Sequence, residues 1–216
     1  MIDKPYRLVI VLSAGLVAWT LLNRFAIDPG AVSFLSHKTG IAHQLRLPAW
    51  LRVLDIHIAF ACLALLAGAL NFANPPARGR RRRHRSVGYA YIISVLGVCI
   101  TSGYMAPYAT GGRPVSMAFN LLNLIWIAVT VTALVQIRRR QVVRHRQWMI
   151  RSYAFCFTNV TIHLAETVLT RLLGMRYETA YAVSVYATIL ILIAIAELIV
   201  RRTAGKPQKT GTFTHQ

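Results

Sequence analysis

Six runs of mostly apolar residues, each about 20 residues long, follow one another along this chain. Polar segments that are mostly rich in arginine separate the runs. An α-helix needs about 20 consecutive apolar residues to cross the hydrocarbon layer of a membrane. The sequence therefore predicts an all-α, polytopic membrane helix bundle with about six transmembrane helices, at residues 7–27, 53–73, 87–107, 116–137, 149–173 and 181–200.

The chain is strongly basic, with 25 Lys and Arg residues against 6 Asp and Glu residues and a net charge of +19. Such an excess is typical of nucleic-acid-binding proteins. Here, however, the arginines lie between apolar runs, and 56% of all residues are hydrophobic. The charge therefore indicates membrane topology and contact with membrane lipids, including anionic head groups. We expect no nucleic acid as a partner.

Most of the basic residues fall on one side of the predicted membrane, at the N-terminus, in the loops after the second and fourth spans, and at the C-terminus. Because positively charged loops stay in the cytoplasm, both termini are predicted to be cytoplasmic. Residues 1–204 then form a single membrane-embedded domain. Its outer loop, 28–52, is expected to contain a short helix at the membrane interface. Residues 205–216 are predicted to be a disordered cytoplasmic tail.

The first apolar run, from Leu8 to Leu22, is not followed by a small-residue cleavage site, so we expect a retained helix and not a signal peptide. The cysteines show no spacing typical of a disulfide framework or of a metal site. They are expected to be small core residues (Cys62, Cys99 and Cys156).

Polar and small residues repeat every three or four positions on three predicted spans, which places them on one face of each helix. They are Ser152, Cys156, Asn159, His163, Glu166 and Thr170 on the fifth span, Ser116, Asn120, Asn123 and Thr130 on the fourth, and Ser94, Gly97, Thr101 and Tyr104 on the third. Polar groups in a bilayer are costly without partners, so we expect these stripes to face one another. They form either hydrogen-bonded helix contacts or a functional site.

Two histidines are predicted to lie at one depth near the outer surface. His57 lies about 6 Å inside the outer end of the second span, and His163 lies about 9 Å below the outer surface on the fifth. This arrangement is typical of two imidazoles that bind one haem b. With Asp55 and Glu166 within a turn, the same residues also suit a divalent metal or a simple hydrogen-bonded cluster. All three alternatives remain open.

A second histidine pair opens two spans at the cytoplasmic side. His84 and Arg85 precede the third span, and His145 and Arg146 precede the fifth, which also carries Arg151. The histidines are candidate ligands of a second haem, and the arginines are candidate partners for haem propionates or lipid phosphates. The alternative is that these residues touch only lipid head groups and interfacial water.

Glu197 lies deep in the sixth span, where a carboxylate needs a partner. Arg151 is the nearest candidate by depth. The remaining histidines carry no site prediction. We expect His37 and His43 to be solvated in the outer segment, and His215 lies in the tail.

Several of these stretches resemble one family of bacterial membrane proteins, catalogued as domain of unknown function 2306. The resemblance covers roughly residues 50 to 200 and rests on His57, the Gly68-to-Phe72 end of the second span, HRSVGY at 84–89, HRQWMIRSY at 145–153 and Ala196-Glu197. It implies a polytopic bundle in the bacterial cytoplasmic (inner) membrane and no established reaction. Histidine placement alone is similar to transmembrane b-type cytochromes, but the fourth span carries no histidine.

The leading functional hypothesis is therefore transmembrane electron transfer by bound haem b, with a quinone or another redox partner. The alternative is a non-enzymatic transporter or a membrane-complex assembly factor with a polar path inside the membrane. A hydrolase is not expected, since the chain lacks an HExxH-type motif.

Overall fold

The computed structural model describes residues 4–32, 46–73 and 81–204, and all of these segments are helices or short connections between helices. Seven α-helices follow one another in the described residues. They are α1 (Lys4–Leu22), α2 (Leu47–Ala73), α3 (Arg81–Met105), α4 (Arg113–Arg138), α5 (Val142–Ala154), α6 (Thr158–Arg171) and α7 (Tyr177–Ala204). A π-helical turn, Asn23–Ile27, extends α1, and a 3₁₀ turn, Ala106–Tyr108, extends α3.

The predicted all-α membrane bundle is confirmed. Five segments are long and apolar enough to cross a membrane: Arg7–Ile27, Leu47–Ala73, Arg81–Tyr108, Arg113–Arg138 and Tyr177–Thr203. α2 begins at Leu47 and not at residue 53, so the last residues of the predicted outer loop belong to this helix. His37, His43 and most of the segment predicted to contain an interfacial helix lie at 33–45, and the predicted tail lies at 205–216. These two ranges are outside the described residues.

The fifth predicted span, 149–173, differs from a single long helix. α5 and α6 are separated by the 3₁₀ turn Phe155–Phe157. Phe155 packs against Trp126 at 6.1 Å between ring centroids, and Phe157 packs edge-on against Tyr153 at 5.6 Å. A 3₁₀ turn advances about 120° per residue, against about 100° in an α-helix. Three such residues rotate the face of α6 by about 60° relative to α5.

The core of the bundle lies between α2, α3, α4, α5 and α7. α2 and α3 pack closely at Gly97. The Phe60 ring lies 2.6 Å from the position that a Cβ atom of residue 97 would occupy, so glycine leaves room for the ring. α1 packs against α2, and α7 packs against α4, α5 and α6.

Two contacts define the ends of the bundle. Arg151 in α5 pairs with Glu197 near the end of α7, and the Tyr186 hydroxyl donates to the Pro114 carbonyl at the start of α4. The C-terminal end of α7 therefore lies beside the start of α5, at what we call the basic end, with the arginines at 81–85 and 138–140. The N-terminal end of α7 lies at the opposite end. The chain from 142 to 171 consequently runs across the whole bundle.

Candidate functional site

A cluster of neutral hydroxyl groups lies at the centre of the bundle. The Tyr91 hydroxyl and the Thr130 hydroxyl each lie 2.7 Å from the Ser152 Oγ. Thr130 also donates to the Trp126 carbonyl at 2.7 Å. Because each hydroxyl has one hydrogen, Ser152 must donate to Thr130, and Tyr91 must donate to Ser152. This directed chain satisfies three hydroxyls that are fully or almost fully buried.

A second chain of hydroxyls joins three helices close by. Tyr153 in α5 donates to the Leu65 carbonyl in α2 at 3.0 Å and lies 2.9 Å from the Ser13 Oγ in α1. Since the Tyr153 hydrogen is used on Leu65, Ser13 must donate to the Tyr153 oxygen. We call the two chains together the hydroxyl cluster; it comprises Ser13, Tyr91, Thr130, Ser152 and Tyr153. It ends on backbone carbonyls and carries no charged side chain.

The predicted partnership of Glu197 with Arg151 is confirmed. Two guanidinium nitrogens of Arg151 donate to one carboxylate oxygen of Glu197, at 2.7 and 3.2 Å. Arg201 lies 3.4 Å from the other oxygen. The Arg151 guanidinium also lies 4.8 Å from the ring centre of Trp148. The ion pair fastens the last turn of α5 to the C-terminal part of α7, and the cation–π contact lies within α5.

His57 is fixed by a hydroxyl group and not by another histidine. Its Nδ1 lies 2.9 Å from the Thr101 Oγ1 on α3. The Thr101 hydrogen points to the carbonyl oxygens of Gly97 and Val98, at 2.7 and 3.0 Å. Thr101 therefore accepts from His57, which also hydrogen-bonds the backbone of Val98, and this network assigns the proton of the neutral imidazole to Nδ1. Nε2 is left with its lone pair.

His145 shows the same arrangement at the basic end. Its Nδ1 lies 2.8 Å from the Ala133 carbonyl oxygen on α4, and a carbonyl can only accept a hydrogen bond. The proton of neutral His145 is therefore also on Nδ1. His84 lies in the first turn of α3 and is half-buried, at the same end of the bundle. Arg85 and Arg146 are both exposed there.

Asp55 does not bind His57. Its carboxylate accepts a hydrogen bond of 2.8 Å from the Arg24 Nε in the π-helical turn after α1. Arg24 is 11% exposed, and it also donates to the Pro29 carbonyl. The pair fastens the end of α1 to α2, so the role of Asp55 in this structure is structural.

Glu166 and His163 lie on α6, away from His57. The Glu166 carboxylate accepts a bond of 3.3 Å from Thr170, and its charge interacts with the phenols of Tyr177 and Tyr181 on α7. His163 is exposed. Measured from the contact between Tyr153 and Leu65, His57 lies about 12 Å and His163 about 15 Å towards the opposite end. Their depths are thus similar, but no hydrogen bond joins them, and their shared haem remains a prediction.

The polar residues of the predicted fifth span lie in different environments. Ser152 is fully buried in the hydroxyl cluster, whereas Asn159 and His163 are exposed. The rotation at Phe155–Phe157 explains the change, since it turns Asn159 and His163 away from the core, whereas Glu166 and Thr170 further along α6 are half-buried. No residue in this turn is glycine or proline, so the sequence carried no signal for it.

Metal-ligating side chains are dispersed through the described part of the chain, where no group of three or more His, Cys, Asp or Glu residues is placed to bind a metal ion. Cys62, Cys99 and Cys156 are all free thiols, and only Cys99 is buried. The residues that sequence reasoning missed are Ser13, Tyr91 and Arg24. Ser13 and Arg24 are each a single polar residue in a mostly apolar segment. Tyr91 lies three residues before Ser94 and so continues the polar stripe of the third span.

Comparison with known proteins bears on the region that contains these contacts. A family model described as predicted membrane protein (DUF2306) matches residues 54–200, which is well over half of the chain. The chain belongs to this family. Of the features described above, the ion pair of Arg151 and Glu197, His57 and His145 all lie within the DUF2306 region, whereas Ser13 and Arg24 precede it. Among curated proteins and among solved structures, nothing matches the chain.

Most of the resemblance to the DUF2306 family rests on residues that make the contacts described here. In HRQWMIRSY, His145 bonds α4, Arg151 bonds α7, Ser152 bonds Tyr91 and Tyr153 bonds α2. At the end of α2, Gly68 lies directly beneath the Tyr153 ring, and Phe72 lies 5.3 Å from the ring centre of Tyr153. The stretch therefore fastens α5 to most of the bundle.

Proposed function

We propose that this membrane protein binds haem b and passes electrons across a bacterial cytoplasmic membrane. The observation that supports the proposal is the hydrogen bonding of His57 and His145. Each donates its Nδ1 hydrogen to an oxygen on a neighbouring helix, and each keeps the Nε2 lone pair free for iron. Histidines that bind metals in proteins use this arrangement, because the second bond fixes the ring and raises the basicity of the ligating nitrogen.

The two histidines lie at opposite ends of the bundle. Counted from the contact between Tyr153 and Leu65, His145 lies about 12 Å towards the basic end and His57 about 12 Å towards the opposite end. Redox groups at the two positions would lie about 24 Å apart along the bundle, as electron transfer from one side of a membrane towards the other requires. Bound haem supplies one-electron chemistry at its iron.

The side chains around the histidines have defined roles in this proposal. Thr101 and the Ala133 carbonyl orient the two rings. His84 is the candidate second ligand at the basic end, where exposed Arg85 and Arg146 are candidate partners for propionates. Arg151 is engaged with Glu197. We leave His163 out of this ligand set, because its ring is exposed on α6. A quinone or a cytoplasmic protein is the expected donor.

An absorption spectrum tests the proposal. Full-length protein purified from haem-replete cells should show a Soret band and a reduced-minus-oxidised band near the visible maximum of b-type haem. His57→Ala and His145→Ala should each lower the haem content per chain, and the double variant should abolish it. His163→Ala is the matched control and should leave the haem content unchanged. Protein without a Soret band would overturn the proposal.

A second candidate function, a non-enzymatic subunit that binds another transmembrane segment, is favoured by a different observation. Asn159 and His163 are exposed one turn apart on α6, in a segment that crosses the bundle. Polar side chains at membrane depth normally face protein, because hydrocarbon offers no hydrogen-bond partners. In this role α6 docks a partner in an assembly or transport complex.

In-membrane photocrosslinking tests this second function. A photoreactive residue in place of Val160, which is 43% exposed beside Asn159, should crosslink to a polypeptide. The product should be lost when Asn159 and His163 are both replaced by leucine. The same photoreactive residue in place of Ile100, which is 73% exposed on α3, is the control and should crosslink only to lipid. Equal products at both positions would exclude a specific docking face.

A further inference from the structure

One face of α6 presents two polar side chains to the membrane. We call it the α6 outer face; it comprises Asn159, Val160, His163 and Leu164. Val160 and Leu164 are 43 and 64% exposed, and Asn159 and His163 are exposed as well. In the part of the chain that the structure describes, neither polar side chain makes a hydrogen bond.

Because this face lies at membrane depth, leaving Asn159 and His163 without hydrogen-bond partners costs free energy. Arg171 ends α6 at the opposite end of the bundle, and Asn159 and His163 lie about 18 and 12 Å short of it along the helix. Both residues therefore lie within the hydrocarbon layer, which is about 30 Å thick. An amide and an imidazole at this depth lose their water and gain nothing from lipid.

Within residues 4–32, 46–73 and 81–204, covering these groups would undo other contacts. Ser152, at the other end of the same stripe, is bound to Tyr91 and Thr130 in the hydroxyl cluster. The 3₁₀ turn Phe155–Phe157 is locked by the packing of Phe155 on Trp126 and of Phe157 on Tyr153. Rotating α6 to bury Asn159 would break this packing. The outer face is therefore built to face outwards.

We propose that the α6 outer face binds the same face of a second copy of this chain, in a parallel homodimer with its two-fold axis along the membrane normal. The inference rests on the second candidate function and names its partner. All copies of a membrane protein insert in one orientation, so across such an axis each residue meets its counterpart at its own depth. Asn159 meets Asn159, and His163 meets His163.

This geometry satisfies the polar groups without any other component. An amide carries both a donor and an acceptor, and so does a neutral imidazole, so each residue is complementary to itself. A different partner would need a donor and an acceptor at both depths, one helical turn apart. Between the polar residues, Val160 and Leu164 supply apolar contact. Interhelical bonds of this kind, made by asparagine and histidine, are an established means of helix association in membranes.

Site-specific photocrosslinking of the full chain in membrane vesicles tests the dimer. Val160→p-benzoylphenylalanine and Leu164→p-benzoylphenylalanine should each give a covalent dimer of the chain. The controls are Ile100→p-benzoylphenylalanine on α3 and Leu190→p-benzoylphenylalanine on α7, at positions 73 and 71% exposed, and they should not. Adding Asn159→Leu should weaken dimerisation by about ten-fold, and Asn159→Leu with His163→Leu should abolish it.

The outcomes separate the dimer from the function on which it rests. Both leucine variants replace exposed polar groups, so their thermal stability in detergent should equal or exceed that of the parent chain. A dimer product at all four positions, or one that survives both leucine substitutions, would overturn the proposal. Crosslinking of position 160 to a different polypeptide would also overturn the dimer while leaving the second candidate function intact. Crosslinking to lipid alone would remove both.

Discussion

Tyr153 donates its hydroxyl hydrogen to the backbone carbonyl oxygen of Leu65, at 3.0 Å and in the middle of the bundle. One turn further along α2, Gly68 lies directly against the Tyr153 ring, and a Cβ atom there would overlap the ring carbons. The bond and the glycine together define how closely α5 approaches α2. Since Ser13 also bonds Tyr153, one side chain joins three helices.

Gly68→Ala should therefore destabilise the protein strongly. The added methyl group must displace the Tyr153 ring and lengthen its bond to Leu65, a cost of about 1–3 kcal/mol. The matched control is Gly103→Ala, because a Cβ atom there meets nothing within 4 Å. Gly103→Ala should be neutral or slightly stabilising, since alanine favours helix. Thermal unfolding of both variants in detergent checks the prediction, and equal melting temperatures would contradict it.

Ser152→Ala should cost more stability than Tyr91→Phe. Removing Ser152 takes away the acceptor that lies 2.7 Å from the fully buried Tyr91 hydroxyl, which costs about 1–3 kcal/mol, whereas Tyr91→Phe removes the donor itself. The double variant should lose less than the sum of the two single variants. Thr132→Ala is the control, because the Thr132 hydroxyl bonds only the Ala128 carbonyl of its own helix. Additive losses would show that the two residues are not coupled.

Replacing one partner of the ion pair at the basic end should be worse than replacing both. Arg151→Leu leaves Glu197 with only the longer contact to Arg201, so the melting temperature should fall. Adding Glu197→Leu should restore part of the loss. Arg202→Leu, next to Arg201 and exposed, provides the control. A double variant that is less stable than Arg151→Leu alone would contradict this account.

Thr101→Val should change the properties of haem bound by His57, if the proposed function is correct. Valine keeps the shape of threonine but cannot accept the Nδ1 hydrogen, so the ring becomes a less basic ligand. We expect a higher reduction potential for one haem population, measured by spectroscopic redox titration. Thr132→Val, whose hydroxyl bonds within α4, should leave the potential unchanged. An unchanged potential in Thr101→Val would remove His57 from the ligand set.

The predicted orientation is tested by labelling from one side. Arg140 lies in the turn between α4 and α5 at the basic end, and Gly174 lies between α6 and α7 at the opposite end. In intact cells, a membrane-impermeant thiol reagent should label Gly174→Cys and not Arg140→Cys, and permeabilised cells should label both. Both comparisons include the parent chain, whose own thiols set the background. Labelling of Arg140→Cys in intact cells would invert the topology.

Depth was the property that the sequence predicted well. Counting residues from the membrane surface was enough to pair Arg151 with Glu197, because a lone carboxylate and a lone guanidinium at one level in a membrane have few other options. The same counting gave His57 and His163 similar depths. It does not give the direction in which a side chain points, and here Thr101 binds His57 while His163 is exposed.

The direction in which these side chains point depends on structural features that the sequence does not indicate. The turn at Phe155–Phe157 contains three ordinary residues, and only the packing of its two phenylalanines on Trp126 and Tyr153 accounts for it. Likewise, Ser13 is a single serine in an apolar helix, and its partner lies 140 residues away along the chain. Contacts of this range arise from the tertiary arrangement of the helices, which the periodicity of one helix does not report.

The division of the fifth crossing into α5 and α6 has a consequence for how the chain enters the membrane. Five helices in the described residues are long and apolar enough to span a membrane, and this crossing is not one of them. It carries four polar or charged residues, Arg151, Asn159, His163 and Glu166. Inserting such a segment alone is unfavourable, whereas insertion beside helices that accept its polar groups is not. Because α4 precedes it in the chain and α7 packs against both of its halves, the fifth crossing should insert together with its neighbours, as a late step of assembly.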